Sequence, residues 1–176
     1  MKGKQTIWDM VRSLAVIGVV VAGIYLFIPH DDEADPTRTV DYRVETLTAR
    51  RAAPYPVAAP VGLAREWRAT SVTYERRNAN AWHLGFQDPD RQYVAVEQSS
   101  DTSAKYLERV TQKAEATGQT QQVGDLAWER WDGEKYDALV RREQGSVTVV
   151  TGTAGFERLG AMAAALEFRQ GPEVAR

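Results

Sequence analysis

An uninterrupted stretch of sixteen uncharged residues near the N-terminus constrains this chain more than any other feature. Residues 13–28 read SLAVIGVVVAGIYLFI. As an α-helix this stretch rises about 24 Å, which is short of the roughly 30 Å hydrocarbon core of a bilayer, whereas a helix over residues 7–28 rises about 33 Å. The sequence therefore predicts a membrane-spanning helix within residues 1–28.

The charges on either side of this stretch predict its orientation. Lys2, Lys4 and Arg12 precede it against a single acid, Asp9, and four acids follow within residues 31–35. Because cationic flanks stay on the cytoplasmic side, we expect a cytoplasmic N-terminus and an extracytoplasmic C-terminal domain at the cell membrane. A cleaved signal peptide is the alternative, but the segment FIPHDDEADP lacks the small-residue pattern of a cleavage site.

Side chains of the predicted anchor are expected to follow the layers of a bilayer. Tryptophan and tyrosine suit the two interfaces, and the head of an arginine near the inner interface reaches toward water. The remaining positions are apolar. The residues predicted to form the anchor are Trp8, Arg12, Leu14, Val19, Tyr25 and Ile28.

Charge and cysteine content exclude two classes of protein. The whole chain carries a net charge of −2, and because residues 1–28 contribute three cations and one acid, the exported part carries −4. Nucleic-acid binding normally needs clustered positive charge, so we expect no nucleic-acid partner. The chain has no cysteine, so the exported domain has no disulfide and depends on its core for stability.

Changes in composition divide the chain into four segments. Residues 1–28 are the cytoplasmic stub and the transmembrane helix, and residues 29–39 are an acidic tether. Residues 40–170 are the extracytoplasmic domain, and residues 171–176 are a tail.

The extracytoplasmic domain is expected to begin with a helix and a proline-rich strap. Apolar residues at helical spacing, among them Val44 and Leu47, predict a short helix through about Ala52. Three prolines in the segment PYPVAAPVG, residues 54–62, predict an extended course without regular structure. The strap either docks a proline-binding partner or, in the favoured interpretation, packs on the domain body through Tyr55 and Val57.

The rest of the chain is predicted to contain strands and two further helices, which places the domain in the α+β class. Alternating Trp82, Leu84 and Phe86, and hairpin signals such as Asp132-Gly133, predict an antiparallel sheet of about six or more strands, flanked by two to three helices. One helix starts at Asp101 or Thr102 and ends at Gly118. The predicted strands are 67–76, 81–87, 93–99, 126–131, 136–142 and 147–152, and the last helix carries Phe156, Leu159, Met162, Ala163 and Leu166.

The two halves of the predicted domain resemble each other. Three strands and a helix containing Leu107-Glu108-Arg109 make one unit, and three strands and a helix around Phe156-Glu157-Arg158-Leu159 make another. This pattern predicts an internal duplication of a βββα unit. The alternative is that any two hairpins followed by a helix look self-similar.

Catalytic groups are scarce. His30 lies at the membrane exit, and His83 lies in a strand, opposite in phase to Trp82 and Leu84. No cluster of histidine, cysteine and acidic residues has metal-ligand spacing, and a catalytic His83 would need a nucleophile and an orienting acid nearby. A single histidine in a hairpin is typical of a surface residue. We therefore expect no enzyme activity, no metal and no cofactor.

Aromatic side chains are the remaining signal for binding. Trp128 and Trp131 occupy even and odd positions of one predicted strand, so they should point to opposite faces of the sheet. An exposed tryptophan would anchor a partner, whereas a covered one belongs to the core. The residues predicted as ligand or partner contacts are Trp128, Trp131, Tyr136, Phe156 and Met162.

Two functions are compatible with these features. The favoured one is a membrane-anchored, non-catalytic interaction or accessory domain with a membrane or envelope protein as its partner, which predicts an exposed apolar patch. The alternative is an extracytoplasmic carrier or sensor of a small apolar or lipid ligand, which predicts a cavity between sheet and helix.

Several segments resemble the bacterial domain-of-unknown-function family 4245. They are ARRAAPYPVAAPVGL, WRATSVTYE, WHLGF and QYVAVEQS, with GDLAWE and VTVVTGTA further on, and MVRSLAV at the apolar stretch. The resemblance covers nearly the whole chain and implies a membrane-anchored extracytoplasmic protein of actinobacteria. It brings no catalytic or binding residue, because the family has no assigned activity. The pattern of strands and helices is also similar, in architecture only, to the Mog1/PsbP-like fold of an antiparallel sheet flanked by helices.

Overall fold

The computed structural model describes residues 3–27 and 39–171, which fall into two units. Among the described residues, the first unit, Met1–Pro36, contains one helix, α1 (Gly3–Phe27). The second unit, Thr37–Arg176, contains three helices and nine strands over its described residues. In chain order these are α2 (Arg43–Ala52), β1 (Val57–Pro60), β2 (Arg68–Glu75), β3 (Ala81–Gln87), β4 (Tyr93–Ser99), α3 (Ala104–Val110), β5 (Glu115–Val123), β6 (Leu126–Asp132), β7 (Asp137–Glu143), β8 (Ser146–Gly152), α4 (Phe156–Ala165) and β9 (Leu166–Arg169).

Helix α1 exposes the described side chains of the predicted anchor. Trp8, Leu14 and Val19 are each at least 70 % exposed, and Arg12 is also exposed. The side chain of Tyr25 and all of Ile28 lie outside the described residues, as do residues 29–38 of the predicted tether. Within the described ranges, no helix combines the length and apolarity needed to cross a membrane. The predicted transmembrane helix is therefore not confirmed.

A seven-stranded antiparallel sheet organises the second unit, in the strand order β2-β3-β4-β8-β7-β6-β5. A small second sheet pairs β1 with β9. The larger core lies on one face of the main sheet, under α2, α4 and the small sheet, and includes Trp82, Trp128 and Leu159. A smaller core lies on the other face, where α3 packs Leu107 against Val140 and Val149. The predicted α+β class and the antiparallel sheet flanked by helices are confirmed.

The alternation of side chains along β3 decides which face each residue occupies. Trp82, Leu84 and Phe86 are buried in the larger core. Since successive residues of a strand point to opposite faces, His83 lies on the face that carries α3. Trp128 and Trp131 also divide between the faces, as predicted, because Trp128 belongs to the larger core and Trp131 packs against the smaller one.

Two side chains hold the proline strap on the sheet. Trp82 and Gln98 are cross-strand partners on β3 and β4. The Trp82 Nε1–H donates to the Ala58 carbonyl over 2.9 Å, and Gln98 Oε1 accepts from the Ala58 N–H over 2.7 Å. The Gln98 amide also donates to Thr148 Oγ1 at 2.9 Å and to the Pro56 carbonyl at 3.2 Å. We call this pair the Trp82–Gln98 clamp.

The prediction for the strap is half right. Tyr55 and Val57 are buried, which confirms that the strap packs on the domain body. The absence of regular structure is wrong, because Val57–Pro60 forms β1. Pro56 precedes this short strand and Pro60 is its last residue, so the N–H groups of residues 57–59 remain available for hydrogen bonds.

The second helix of the domain is much shorter than predicted. It starts after Ser103, whose side chain accepts from the Tyr106 N–H, and it ends at Val110. Gln112 and Lys113 then adopt left-handed backbone conformations, with φ of 54° and 73°, which stop a right-handed helix. The residues predicted to continue the helix instead enter β5, whose exposed, polar sequence gave no sign of a strand.

Helix α2 buries the face opposite to the one that its apolar residues predict. Thr46 and Ala49 are buried, whereas Val44 and Leu47 are 72 % and 53 % exposed. Small side chains allow the helix backbone to approach the body closely. The larger apolar side chains are left as an exposed patch.

The order of three strands and a helix occurs twice, as β2-β3-β4-α3 and β6-β7-β8-α4. These two βββα segments meet where β4 pairs with β8. Their helices cover opposite faces, since α3 belongs to the smaller core and α4 to the larger one. The internal duplication remains a prediction.

Candidate functional site

A cavity of about 400 Å³ opens on the face of the sheet that carries α3. Strands β2, β3, β4 and β8 form its floor, and α3 forms one wall. Because alternate residues of a strand face the same side, the apolar residues of these strands fill the larger core while their polar neighbours reach the cavity. The wall residues with chemistry to offer are Glu75, His83, Tyr93, Glu97, Tyr106 and Arg109.

His83 is held between two side chains from neighbouring strands. His83 and Glu97 are cross-strand partners, and His83 Nδ1 lies 2.6 Å from Glu97 Oε1. On its other side, His83 Nε2 lies 2.8 Å from the Ser71 hydroxyl oxygen on β2. An Nδ1–H that donates to the carboxylate leaves Nε2 as the acceptor for Ser71 in the neutral ring. The three residues form a continuous chain that we call the Ser71–His83–Glu97 relay.

The surroundings of His83 act on its pKa in opposite directions. Burial lowers the pKa, and the hydrogen bond and negative charge of Glu97 raise it, with a net pKa above 6.5. Glu97 therefore favours the charged imidazolium and fixes the orientation of the ring.

Tyr93 extends the relay beyond Ser71. Its hydroxyl lies near the Ser71 hydroxyl, since both are within 3.1 Å of the point that a Cβ atom on Gly85 would occupy. Burial raises the pKa of Tyr93, so the phenol stays protonated at neutral pH. Gly85, which faces Ser71 across the β2–β3 pair, makes room for both hydroxyls. A Cβ atom there would collide with the Ser71 hydroxyl and lie 3.1 Å from the Tyr93 hydroxyl.

Tyr106 lines the cavity and carries a buried, unsatisfied hydrogen-bonding group. Its side chain is 2 % exposed, and its hydroxyl has no hydrogen-bond partner among the described residues. Burial, and then the negative charge of Glu97, raise its pKa, so the hydroxyl remains a donor. The Arg109 guanidinium lies 5.3 Å from the centre of the Tyr106 ring and places a positive charge at the same wall.

Two tyrosine rings that pack against each other also line the cavity. The rings of Tyr93 and Tyr136 are 5.9 Å apart and tilted by 36°. Lys135 Nζ lies 5.4 Å from the Tyr136 ring centre. The cavity thus combines aromatic surface with hydrogen-bonding groups and charges of both signs.

Of the five contacts predicted from the sequence, one lines this cavity. Tyr136 does so. Trp131 is half-buried beside the smaller core, and Phe156 is half-buried with the Arg130 guanidinium 3.7 Å from its ring centre. Trp128 and Met162 are completely buried in the larger core, on the face that α4 covers. Contact of the five residues with a ligand or a partner stays a prediction.

Four residues of the site were not predicted from the sequence, namely Ser71, Glu97, Tyr93 and Tyr106. Pairing between strands brings Ser71, Tyr93 and Glu97 together although they are far apart in the chain. Tyr106 reaches the site on helix α3. His83 was singled out, but its partners depended on the register of β2 and β4.

Metal binding finds no support in the part of the chain that the structure describes. Within it, no group of three or more histidine, cysteine or acidic residues is placed to hold a metal ion.

Comparison with known proteins gives a match to a family of unknown function. The model of a family described as "Protein of unknown function (DUF4245)" matches residues 2–166. No curated protein matches the chain.

Proposed function

Since the chain belongs to the DUF4245 family of proteins of unknown function, we propose that it is a membrane-anchored, extracytoplasmic domain that binds a small polar ligand between its sheet and helix α3. The support for the anchor is the apolar sequence of residues 7–28, with cations before it and acids after it. The exposed apolar side chains of α1 are consistent with an environment that covers them.

The single observation that carries the ligand proposal is the Tyr106 hydroxyl. A buried donor without a partner costs about 1–3 kcal/mol, and a ligand oxygen or nitrogen at this point would remove that cost. The cavity of about 400 Å³ also lies within the usual volume of small-molecule sites.

The groups around the cavity favour a polar ligand over the apolar or lipid one expected from the sequence. Tyr106 and Arg109 offer hydrogen-bond donors, whereas Glu75 and Glu97 offer acceptors. The Tyr93 and Tyr136 rings offer a flat apolar surface for one side of the molecule. We therefore propose a compact ligand that bears several hydrogen-bonding groups on a carbon framework.

Native mass spectrometry of the full chain, extracted from its own membranes in mild detergent, tests this proposal. We expect a stoichiometric small-molecule mass on the wild-type chain and its loss from Tyr106→Phe, which removes only the hydroxyl. Tyr42→Phe is the matched control, because Tyr42 packs on Phe86 of the larger core, away from the cavity. A wild-type chain that carries no small molecule, or equal occupancy in Tyr106→Phe, would refute the proposal.

A second candidate function is supported by the exposed patch on α2. Val44 and Leu47 present apolar surface that nothing in the described residues covers. We propose that a membrane or envelope protein binds there. Leu47→Glu should abolish co-purification of that partner with the tagged full chain. Gln119→Glu adds the same negative charge on the exposed strand β5 and should not; equal partner yield from both variants would refute this candidate.

A further inference from the structure

Three neighbouring strands contribute one side chain each to the Ser71–His83–Glu97 relay. Ser71 on β2, His83 on β3 and Glu97 on β4 are joined at 2.8 Å and 2.6 Å. A hydroxyl within hydrogen-bond distance of an imidazole, which is itself oriented by a carboxylate, is the arrangement that activates a serine as a nucleophile. Antiparallel strands hold such groups more rigidly than loops do.

The imidazole and the carboxylate of the Ser71–His83–Glu97 relay are partly buried. The side chains of His83 and Glu97 are 29 % and 16 % exposed. An ion pair or hydrogen bond in such partial burial is screened less than one at the surface. Glu97 can therefore stabilise the imidazolium that forms when His83 takes a proton from Ser71.

A donor for the developing oxyanion also lies beside Ser71. The Tyr93 and Ser71 hydroxyls both lie within 3.1 Å of the point that a Cβ atom on Gly85 would occupy, and a protonated phenol is one of the groups that stabilise an oxyanion. Gly85 permits this approach, because any larger residue would place its Cβ against both hydroxyls. Nucleophile, base, orienting acid and oxyanion donor are thus present together.

We propose that Ser71 is the nucleophile of a second activity, the hydrolysis of a small ester, with His83 as general base, Glu97 as its orienting carboxylate and Tyr93 as the oxyanion donor. This goes beyond ligand binding, and it departs from the expectation of a non-catalytic domain. Only the location of the alcohol part of the ester, in the cavity beside Tyr106, rests on the proposed function.

The first half of the reaction forms an acyl-serine. Ser71 Oγ attacks the ester carbonyl carbon and gives its proton to His83 Nε2, while the carbonyl π electrons move to the oxygen that Tyr93 stabilises. When this intermediate collapses, the bond to the alcohol oxygen breaks, and the alcohol leaves with the proton from His83.

The second half returns the serine. Water attacks the acyl carbon and gives a proton to His83, the bond to Ser71 Oγ breaks, and Oγ recovers that proton. The sum is one ester and one water converted to one acid and one alcohol, without any oxidant or cofactor.

Labelling of the full-length chain in mild detergent with a fluorophosphonate probe tests this proposal. We expect one adduct per chain in the intact mass, mapped to Ser71 by peptide analysis, and none on Ser71→Ala. Ser100→Ala is the matched control, since Ser100 is half-buried like Ser71 but bonds Asn80 rather than a histidine. Its labelling should equal that of the wild type.

Two further variants separate an activated serine from a merely accessible one. His83→Gln should slow labelling by about 10²–10⁴-fold, the usual contribution of a general base. Tyr93→Phe should slow it by roughly 10²–10³-fold, the usual contribution of an oxyanion donor. No adduct on Ser71 in the wild type, or an equal rate in His83→Gln, would overturn the proposal.

The outcome is independent of the ligand test. Mapping the adduct in the wild type identifies Ser71 even if a variant fails to fold. If Ser71 is labelled but no small molecule accompanies the chain, the ligand-binding proposal is refuted and the proposal that Ser71 is a nucleophile is supported. The reverse result would leave a binding cavity without catalysis.

Discussion

Replacing Gln98 with leucine should separate the proline strap from the main sheet. Gln98 is completely buried, and its amide bonds both the backbone of the strap and Thr148 on β8. Leucine keeps the apolar packing but removes every one of these hydrogen bonds. The Ala58 N–H, which is also completely buried, would then lose its acceptor.

The expected loss follows from the groups left unpaired. An unsatisfied Ala58 N–H costs about 1–3 kcal/mol, and the Thr148 hydroxyl loses a bond worth about 0.5–1.5 kcal/mol. We therefore expect Gln98→Leu to lower the free energy of unfolding by about 1.5–4.5 kcal/mol. Trp82→Phe, which leaves the Ala58 carbonyl unpaired, should cost about 1–3 kcal/mol from that group, with a further loss from the smaller ring.

Urea unfolding of the full chain, followed by circular dichroism, measures these losses. Both substitutions remove a hydrogen bond to the backbone of Ala58. The double variant should therefore lose less stability than the sum of the two single losses, by a coupling energy of about 0.5–3 kcal/mol. Gln122→Leu on the exposed part of β5 is the matched control and should change stability by less than about 0.5 kcal/mol. A loss in Gln98→Leu no larger than in this control, or additive effects in the double variant, would refute the Trp82–Gln98 clamp.

Three other predictions concern the helix on the site and the relay. Ser103→Ala removes the side chain that accepts from the first turn of α3 and should cost about 0.5–2 kcal/mol in thermal or urea unfolding, whereas Ser103→Asn should restore most of it. Gly85→Ala adds a methyl group against Ser71; it should cost about 1–3 kcal/mol and slow probe labelling, and unchanged labelling would contradict the described contact. Since the folded pKa of His83 is raised, its ion pair with Glu97 stabilises the fold fully below pH 6.5, and this contribution is lost as the pH rises through the folded pKa. An NMR titration of His83 should give a pKa above 6.5 that falls in Glu97→Gln, while a pKa at or below 6.5 in the wild type would contradict the pairing.

Local patterns predicted the elements that have a buried face. The alternation of Trp82, Leu84 and Phe86 gave the bounds of β3 to the residue, because the apolar side chains all enter one core. Strand β5 was missed, since nearly all of its side chains are exposed and no alternation can arise. Helix α2 was found, but its buried face was not, because packing there selected small side chains over large ones.

Only part of the candidate site could be predicted from the sequence. The turn at Asp88-Pro89-Asp90 sets the β3–β4 register, in which Gln87 pairs with Tyr93, and counting back from that pair places Glu97 opposite His83. That part of the relay was within reach. Ser71 was not, because the regular β2–β3 register places Thr73 opposite His83 and Ser71 opposite Gly85. Pairing alone does not show that the imidazole turns to its diagonal neighbour Ser71.

The edge strand β5 affects how these molecules behave at high protein concentration. Strand β5 presents a polar edge, and its pairing with β6 is interrupted between Ala116 and Thr120, where Gly118 adopts a φ of 75°. A straight, apolar edge would invite the same strand of a neighbouring molecule to continue the sheet and begin aggregation. The kink and the hydrophilic side chains make that stacking unfavourable, so this edge protects the solubility of the folded domain at high local concentration.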